Sequence, residues 1–295
     1  MHIPWPGTKC ILCLKETPLS DEHLIPQALG GNLVCSFLCR KCNSTVGANC
    51  ESEAKADPSI RIAVGHLKSE ISSDLSRRLS EGQKVLADGP GGTERGQIRR
   101  GQLQIRSRMA EDGSLIQPTK QARKSINTIL LKSGVGETPI ANAMREFEDA
   151  PENQKVTLVP GLEIVKWSVE SLRPDLGDSS LMSPLVPLKI GYEFIACHLG
   201  TAVYENAPQL DDIRFSIREM VEESTCFEVE RLNALEYKPF HGICFEGNSP
   251  HARVLVRLFG WLAFRVHFRH LAIGGPRFAY TQYLDTKRET LRALD

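Results

Sequence analysis

The sequence has no long hydrophobic run. Its most apolar stretch, Leu258 to Phe264, is far shorter than the roughly 20 residues a helix needs to cross a bilayer, so no membrane span is expected. No apolar h-region precedes Cys10, which argues against a secretory leader. An internal repeat, a Walker-type phosphate loop and a low-complexity tract are also missing, and with them the function classes those features signal. Net charge is absent too, since 36 Lys and Arg balance 36 Asp and Glu. What is present, 295 residues with 41% hydrophobic content, is enough to bury a real core. The expected class is α+β, a small N-terminal module followed by a larger mixed α+β domain.

The zero balance hides segregation. Arg95 to Lys124 carries eight basic residues against Glu111 and Asp112, whereas Glu205 to Glu230 carries eight acids against Arg214 and Arg218. Along Gln102 to Met109 the apolar residues fall on odd positions, interrupted by Ser107, which would place Arg106 and Arg108 on one solvent face of a strand, a face suited to following a phosphate backbone. His251 to Arg277 holds five arginines and no acid; for any one of them a solvated sheet face is the commoner use.

Nine cysteines, an odd number, point to a reducing, cytoplasmic compartment. Four form two Cys-x-x-Cys pairs, Cys10/Cys13 and Cys39/Cys42, separated by 25 residues. Each x-x spacer lets neighbouring sulfurs approach one ion at about 2.3 Å, so the pairs can converge as a structural tetrathiolate Zn²⁺ site. A segment this small cannot stabilise itself by apolar burial, while zinc binding contributes on the order of 10 kcal/mol. Cys35, Cys50, Cys197, Cys226 and Cys244 have no metal-ligand spacing and read as buried or incidental thiols.

Between and just after the pairs stand Glu22-His23-Leu24-Ile25-Pro26, Gly30-Gly31-Asn32, Asn43 and Val46-Gly47. In this order they resemble the HNH endonuclease family in its zinc-clasped form, over roughly residues 8 to 52. The resemblance implies a ββα-metal fold in which His23 is the general base, Glu22 and Asn43 are ligands of a catalytic divalent cation, and Asn32 is the middle asparagine. The oxygen donors suit Mg²⁺ or Mn²⁺ better than a second zinc. Asn32 reads equally as a turn residue, because Gly-Gly-Asn is itself a turn signal. Glu51 is a further carboxylate eight residues beyond Asn43.

Phosphodiester hydrolysis needs a base for water and a cation that shields developing charge. Neighbours on a regular strand point to opposite faces, so Glu22 and His23 can share a site only at a strand end or distortion. The remaining histidines, His198, His241, His251, His267 and His270, form no second catalytic spacing.

The expected organisation is a module over 1–56, a helical linker over 57–94 and an α+β body over 95–295 with a DNA-binding, dimerisation or sensor role. Asp57-Pro58 opens a helix through Ile71, Leu75 and Leu79 that ends before the Gly89 to Gly92 loop. A helix follows over 119–132, an acidic loop around 146–152, irregular chain over 171–187, helices over 188–199 and around 210–220, and strands either side of Gly260.

The functional expectation is a metal-dependent HNH endonuclease cutting double-stranded DNA, placed in microbial defence by family association alone. Two alternatives stand beside it: a non-catalytic zinc module that docks on nucleic acid or a protein, and a nuclease governed by a ligand-sensing C-terminal domain. Homodimerisation and a regulatory ligand or protein partner stay open.

Overall fold

A computed structural model describes residues 1–89, 92–100, 102–105, 108–109, 114–132, 134, 136–151, 154–159, 162–167, 169–175, 182–204, 208–232, 236–247, 251–271, 273 and 277–294. The chain forms two compact units, one of Met1–Leu79 with Asp178–Asp295, the other of Ser80–Gly177. These boundaries differ from those read in the sequence: the N-terminal module shares one unit with the C-terminal third, and the second unit is inserted between them. No described helix is long and apolar enough to cross a membrane.

The first unit begins with β1 (His2–Ile3), β2 (Leu19–His23) and β3 (Val34–Cys39). β3 is central, parallel to β1 and antiparallel to β2, and the β2/β3 register shifts between Ser20 and Glu22. The pairing runs Ser20 to Leu38 and then Glu22 to Cys35, so Asp21 faces both Ser36 and Phe37, a β-bulge. A 3₁₀ turn over Gln27–Leu29 ends at Gly30 with φ 93°, a left-handed conformation that favours glycine. Then come α1 (Arg40–Val46), a wide turn over Gly47–Glu51, α2 (Ser52–Ala56), α3 (Pro58–His66) and α4 (Ser73–Ser80). Asp57 caps α3, accepting from Ser59 N at 2.6 Å and Ile60 N at 3.3 Å, with proline in the first turn, where its missing N–H costs nothing. The single long helix expected after Asp57 is thus two, broken over residues 67–72.

The inserted unit contains β4 (Lys84–Gly89), β5 (Gly92–Arg99), β6 (Gln102–Ile105), β7 (Arg108–Met109), β8 (Leu115–Pro118), α5 (Thr119–Lys132), α6 (Glu137–Asp149), β9 (Lys155–Val159), β10 (Leu162–Trp167) and β11 (Ser171–Pro174). They form two four-stranded sheets, β11-β4-β5-β6 and β7-β8-β10-β9. The expected linker is therefore strand from Lys84 onward, with Gly89 paired to Gly92 in the β4/β5 hairpin. Helix α6 replaces much of the acidic loop expected at 146–152. Ile140, Ala143 and Phe147 recur at helical spacing and are buried with Ile126, Leu130 and Ile164, so the apolar stripe decides the structure and the acids stay outside.

The chain then returns to the first unit with α7 (Leu185–Leu199), a 3₁₀ turn over Gly200–Tyr204 and α8 (Pro208–Glu219). A six-stranded antiparallel sheet follows, made of β12 (Phe227–Leu232), β13 (Phe240–Gly247), β14 (Ala252–Leu258), β15 (Leu262–Phe268), β16 (Arg277–Tyr283) and β17 (Glu289–Leu294), in the order β12-β15-β14-β13-β16-β17. The β14/β15 hairpin turns at Gly260, φ 64°. Helix α7 is buried along almost its whole length because it lies between module and sheet. At Gly191 a Cβ would stand 3.3 Å from Phe268 and 3.4 Å from Val266, so the missing side chain permits the close approach to β15.

Polar ties join the module to this body. Tyr192 Oη donates to the Ile11 carbonyl at 2.8 Å, and Arg214 Nε to the same oxygen at 3.2 Å. Gln282, buried on β16, donates through Nε2 to the Gly30 carbonyl at 2.6 Å and accepts from Asn32 N at 3.1 Å. His241 is fully buried, with Nε2 3.0 Å from the Leu29 carbonyl and Nδ1 accepting from Phe259 N at 3.2 Å. Burial pushes its pKa down to about 4, against the opposing hydrogen bond to Leu29. The unfolded chain therefore binds a proton below about 6.5 that the folded chain refuses, so stability falls with pH through the window from 6.5 to 4. From a shift of this size His241 is expected to account for about 3 kcal/mol of lost stability by pH 4. Denaturant titrations of wild type and His241→Gln check it: the variant should show a shallower acid slope, and parallel slopes would refute the assignment.

Candidate metal centres and nucleic-acid face

The sulfurs of Cys10, Cys13, Cys39 and Cys42 all lie within 4.8 Å of one another. Cys13 Sγ and Cys39 Sγ are 3.8 Å apart, the edge expected of a tetrahedron with metal–sulfur bonds of about 2.3 Å. Cys39 also caps α1, its Sγ accepting from Cys42 N at 3.4 Å. A hydrogen bond from Cys42 and the N–H groups of the loop bring the Cys10 thiol down to about 4 against its own burial, while the hydrogen bond to Cys10 and burial push Cys42 up. The donor set therefore fits zinc, with Cys10 readiest to ionise, and four protein ligands leave no open position for catalysis.

The strand that carries Glu22 and His23 separates them. Glu22 is buried, and its Oε1 accepts from Lys189 Nζ at 2.5 Å. Lys189, also buried, reaches Glu193 Oε2 at 2.9 Å and the His23 carbonyl at 3.3 Å. Burial alone would drive the Lys189 ammonium towards neutrality, but Glu193 and Glu22 more than offset it and the net shift is upward. Burial raises Glu193 well above the usual carboxylate range despite Lys189, and its Oε1 has no hydrogen-bond partner among the described residues. Lys189 thus stands between two buried carboxyl groups in a site closed to water.

His23 lies on the other face of β2, half-buried. Burial depresses its pKa, with Lys189 adding to the effect and Glu22 opposing it, so the imidazole is neutral at neutral pH and able to accept a proton. Asp21, exposed on that same face, accepts from Ser36 Oγ at 2.5 Å and lies 3.6 Å from His2 Nε2; the Ser36 hydrogen bond and His2 hold its carboxyl below the usual range. Asn43 Nδ2 donates to the Asp21 carbonyl at 2.7 Å and to Ser20 Oγ at 3.1 Å. Glu22 is thus turned away from His23, while Asn43 is held at β2 through the Asp21 main-chain carbonyl and Ser20 Oγ. Asn32 is exposed in the turn, and its described hydrogen bonds are main-chain ones to Gln282 and the N-terminal amine. The side chain of Glu51 is outside the described set. Asp21, His2 and Ser36 did not stand out in the sequence, although the period of two that separates Glu22 from His23 also pairs His23 with Asp21.

Two basic surfaces belong to different units. Beside the clasp, a groove of about 810 Å³ is lined by Lys15, Ser20, Arg40, Lys41, Thr45 and Arg218. In the inserted unit, a groove of about 610 Å³ is lined by Lys84, Arg95, Gln97, Arg99, Gln104 and Asp175. Cross-strand partners Lys84, Gln97 and Gln104 stand side by side, and Arg95, Gln97 and Arg99 share one face of β5 by alternation. Arg106 lies outside the described residues; Arg108 is in β7, its side chain outside the described set. The arginines after residue 250 are partly engaged, Arg265 with Glu246 at 2.6 Å and Glu230 at 3.1 Å, Arg269 with Glu228 at 2.6 Å. Acids on neighbouring strands, invisible in the local sequence, supply these partners.

No curated protein and no solved structure shows significant similarity to the chain. A family model does match, over residues 10–59, and its description is HNH endonuclease. With the four thiols gathered at one point and a β-hairpin leading into α1, this stretch is an HNH endonuclease module, set in a chain most of which lies outside the match.

Proposed function

We infer that the protein is a metal-dependent endonuclease that hydrolyses DNA phosphodiester bonds, with His23 as general base. The observation that carries this reading is a half-buried imidazole on the face of β2 opposite Glu22, inside a module with four clustered thiols that matches a nuclease family. The base takes a proton from water; Lys189, through the His23 carbonyl, fixes the backbone from which the ring projects. Asn43 ties the start of α1 to β2 and so sets the distance between helix and base. A Mg²⁺ or Mn²⁺ ion, when bound, would shield charge on the phosphoryl and leaving oxygens. The test is nicking of supercoiled plasmid by zinc-loaded protein with and without added Mg²⁺ or Mn²⁺. Cleavage only with the added ion is expected, and none under either condition would favour the non-catalytic docking reading, which the burial of Glu22 against Lys189 supports.

Duplex DNA fits the charged faces. A row of cations and amides along β4 to β6 offers phosphate contacts without base readout. Arg95 is 81% exposed, its Nε 3.5 Å from Asp175 Oδ2, and Arg99 is held by Gln97 Oε1 at 2.9 Å. Replacing both with alanine is expected to reduce the slope of log affinity against log salt by about 2 and to weaken all sequences alike. Equal slopes for wild type and variant would remove this face from the substrate path. A role in microbial defence rests on family association alone and would be tested by plaque counts in cells with and without the gene.

A further inference from the structure

We propose that the acidic ligand of the divalent cation beside His23 is Asp21, and that Glu22 instead serves as the internal tie that fixes β2 on α7. This deepens the nuclease reading, on which it rests, and departs from the ligand role that the family resemblance implies for Glu22. The first observation is that Glu22 already has a cation. Its Oε1 is 2.5 Å from Lys189 Nζ, and both side chains are closed to solvent, at 7% and 1% exposure. A divalent ion brought to the same carboxylate would meet a fixed ammonium and would have to shed its waters in a sealed site, which Mg²⁺ does reluctantly.

The second observation is the bulge. Because Asp21 faces both Ser36 and Phe37, β2 keeps its alternation with Glu22 inward and Asp21 and His23 outward. The third is the convergence of polar groups on Asp21. Ser36 Oγ donates to Oδ1 at 2.5 Å, His2 Nε2 is 3.6 Å from the same oxygen, and Asn43 Nδ2 donates to the main-chain carbonyl at 2.7 Å. These contacts fix Asp21 by its carbonyl and Oδ1, while the side chain remains 68% exposed. Oδ2 takes no part in these contacts, and Asp21 shares its face of β2 with His23. One carboxylate, completed by several waters and by phosphate oxygens of the substrate, is a normal complement for Mg²⁺.

The test is Mn²⁺ binding followed by electron paramagnetic resonance on full-length zinc-loaded protein, compared for wild type, Asp21→Asn and Glu22→Gln. Asp21→Asn should weaken Mn²⁺ binding by at least about 10-fold at unchanged zinc content, whereas Glu22→Gln should stay within about 3-fold of wild type. Asp21→Asn that binds Mn²⁺ like wild type overturns the proposal, as does a wild type that binds none. The exposed Asp21 variant decides the matter alone if Glu22→Gln does not fold. Failure of the nuclease reading looks different: wild type would bind Mn²⁺ through Asp21 and leave every nucleic acid uncut.

Discussion

His23→Ala is expected to reduce plasmid nicking by about 10²- to 10⁴-fold, the range for removal of a positioned general base. Zinc content and unfolding midpoint should not change. The reason for that separation is structural: what ties His23 to Lys189 is its main-chain carbonyl, which the substitution keeps, and the pairing of His23 with Val34 in β3 is also main-chain. The lost imidazole leaves only half-buried surface. Initial-rate nicking with and without saturating Mg²⁺ measures the effect, alongside elemental analysis for zinc. A variant that nicks at near wild-type rate removes His23 from the chemistry, and one that has lost zinc shows that the residue works in the fold.

Cys39→Ser should have the larger effect on stability. It removes one of four thiolates and the sulfur that caps α1. Zinc binding worth on the order of 10 kcal/mol compares with a whole-domain stability of about 5–15 kcal/mol, so its loss should unfold what it supports. The damage should reach beyond the module. The Ile11 carbonyl, in the loop of the first cysteine pair, accepts from both Tyr192 and Arg214, and Arg214 is buried with no alternative solvent partner. Amide hydrogen exchange across α7 is therefore expected to accelerate together with that of β2 and β3, while α5 and α6 in the inserted unit keep their protection. Retained zinc, or protection of α7 without zinc, would contradict this.

The clasp was legible because its information is local: two spacers and the distance between pairs define a ligand set without knowledge of the rest of the chain. From the two-residue period Glu22 and His23 were expected to share a site only at a strand end or distortion, and β2 instead keeps its alternation and parts them; the hairpin about Gly260 was legible from alternation on both sides of it. What fills the space behind Glu22 was not, because Lys189 stands 167 residues away and reads locally as one polar position in an apolar helix. Asp21 escaped notice for a related reason: adjacency made Glu22-His23 look like the pair, while the geometry pairs His23 with the residue two before it. The expected linker failed at Lys84 because glycines around 89 to 92 mark a hairpin as readily as a helix end. In α6 the acids masked a helical stripe. Arg265 and Arg269 stood without acids in the local sequence because theirs lie on strands paired only in three dimensions.

The discontinuity of the first unit bears on the order in which the protein is assembled. The partners that pin the strand of His23 and its turn, Lys189 and Gln282, are made 166 and 252 residues after the groups they hold. A ribosome-bound chain that has just emitted its cysteine pairs can bind zinc, yet it lacks the ammonium behind Glu22 and the amide under Gly30. The inserted unit, with its own core, is complete before either arrives. Closing contacts of such long sequence separation is intrinsically slow. The setting of β2 and its turn against the C-terminal third therefore comes last in biosynthesis, and chains cut short before β16 would carry the four cysteines without the amide that holds Gly30.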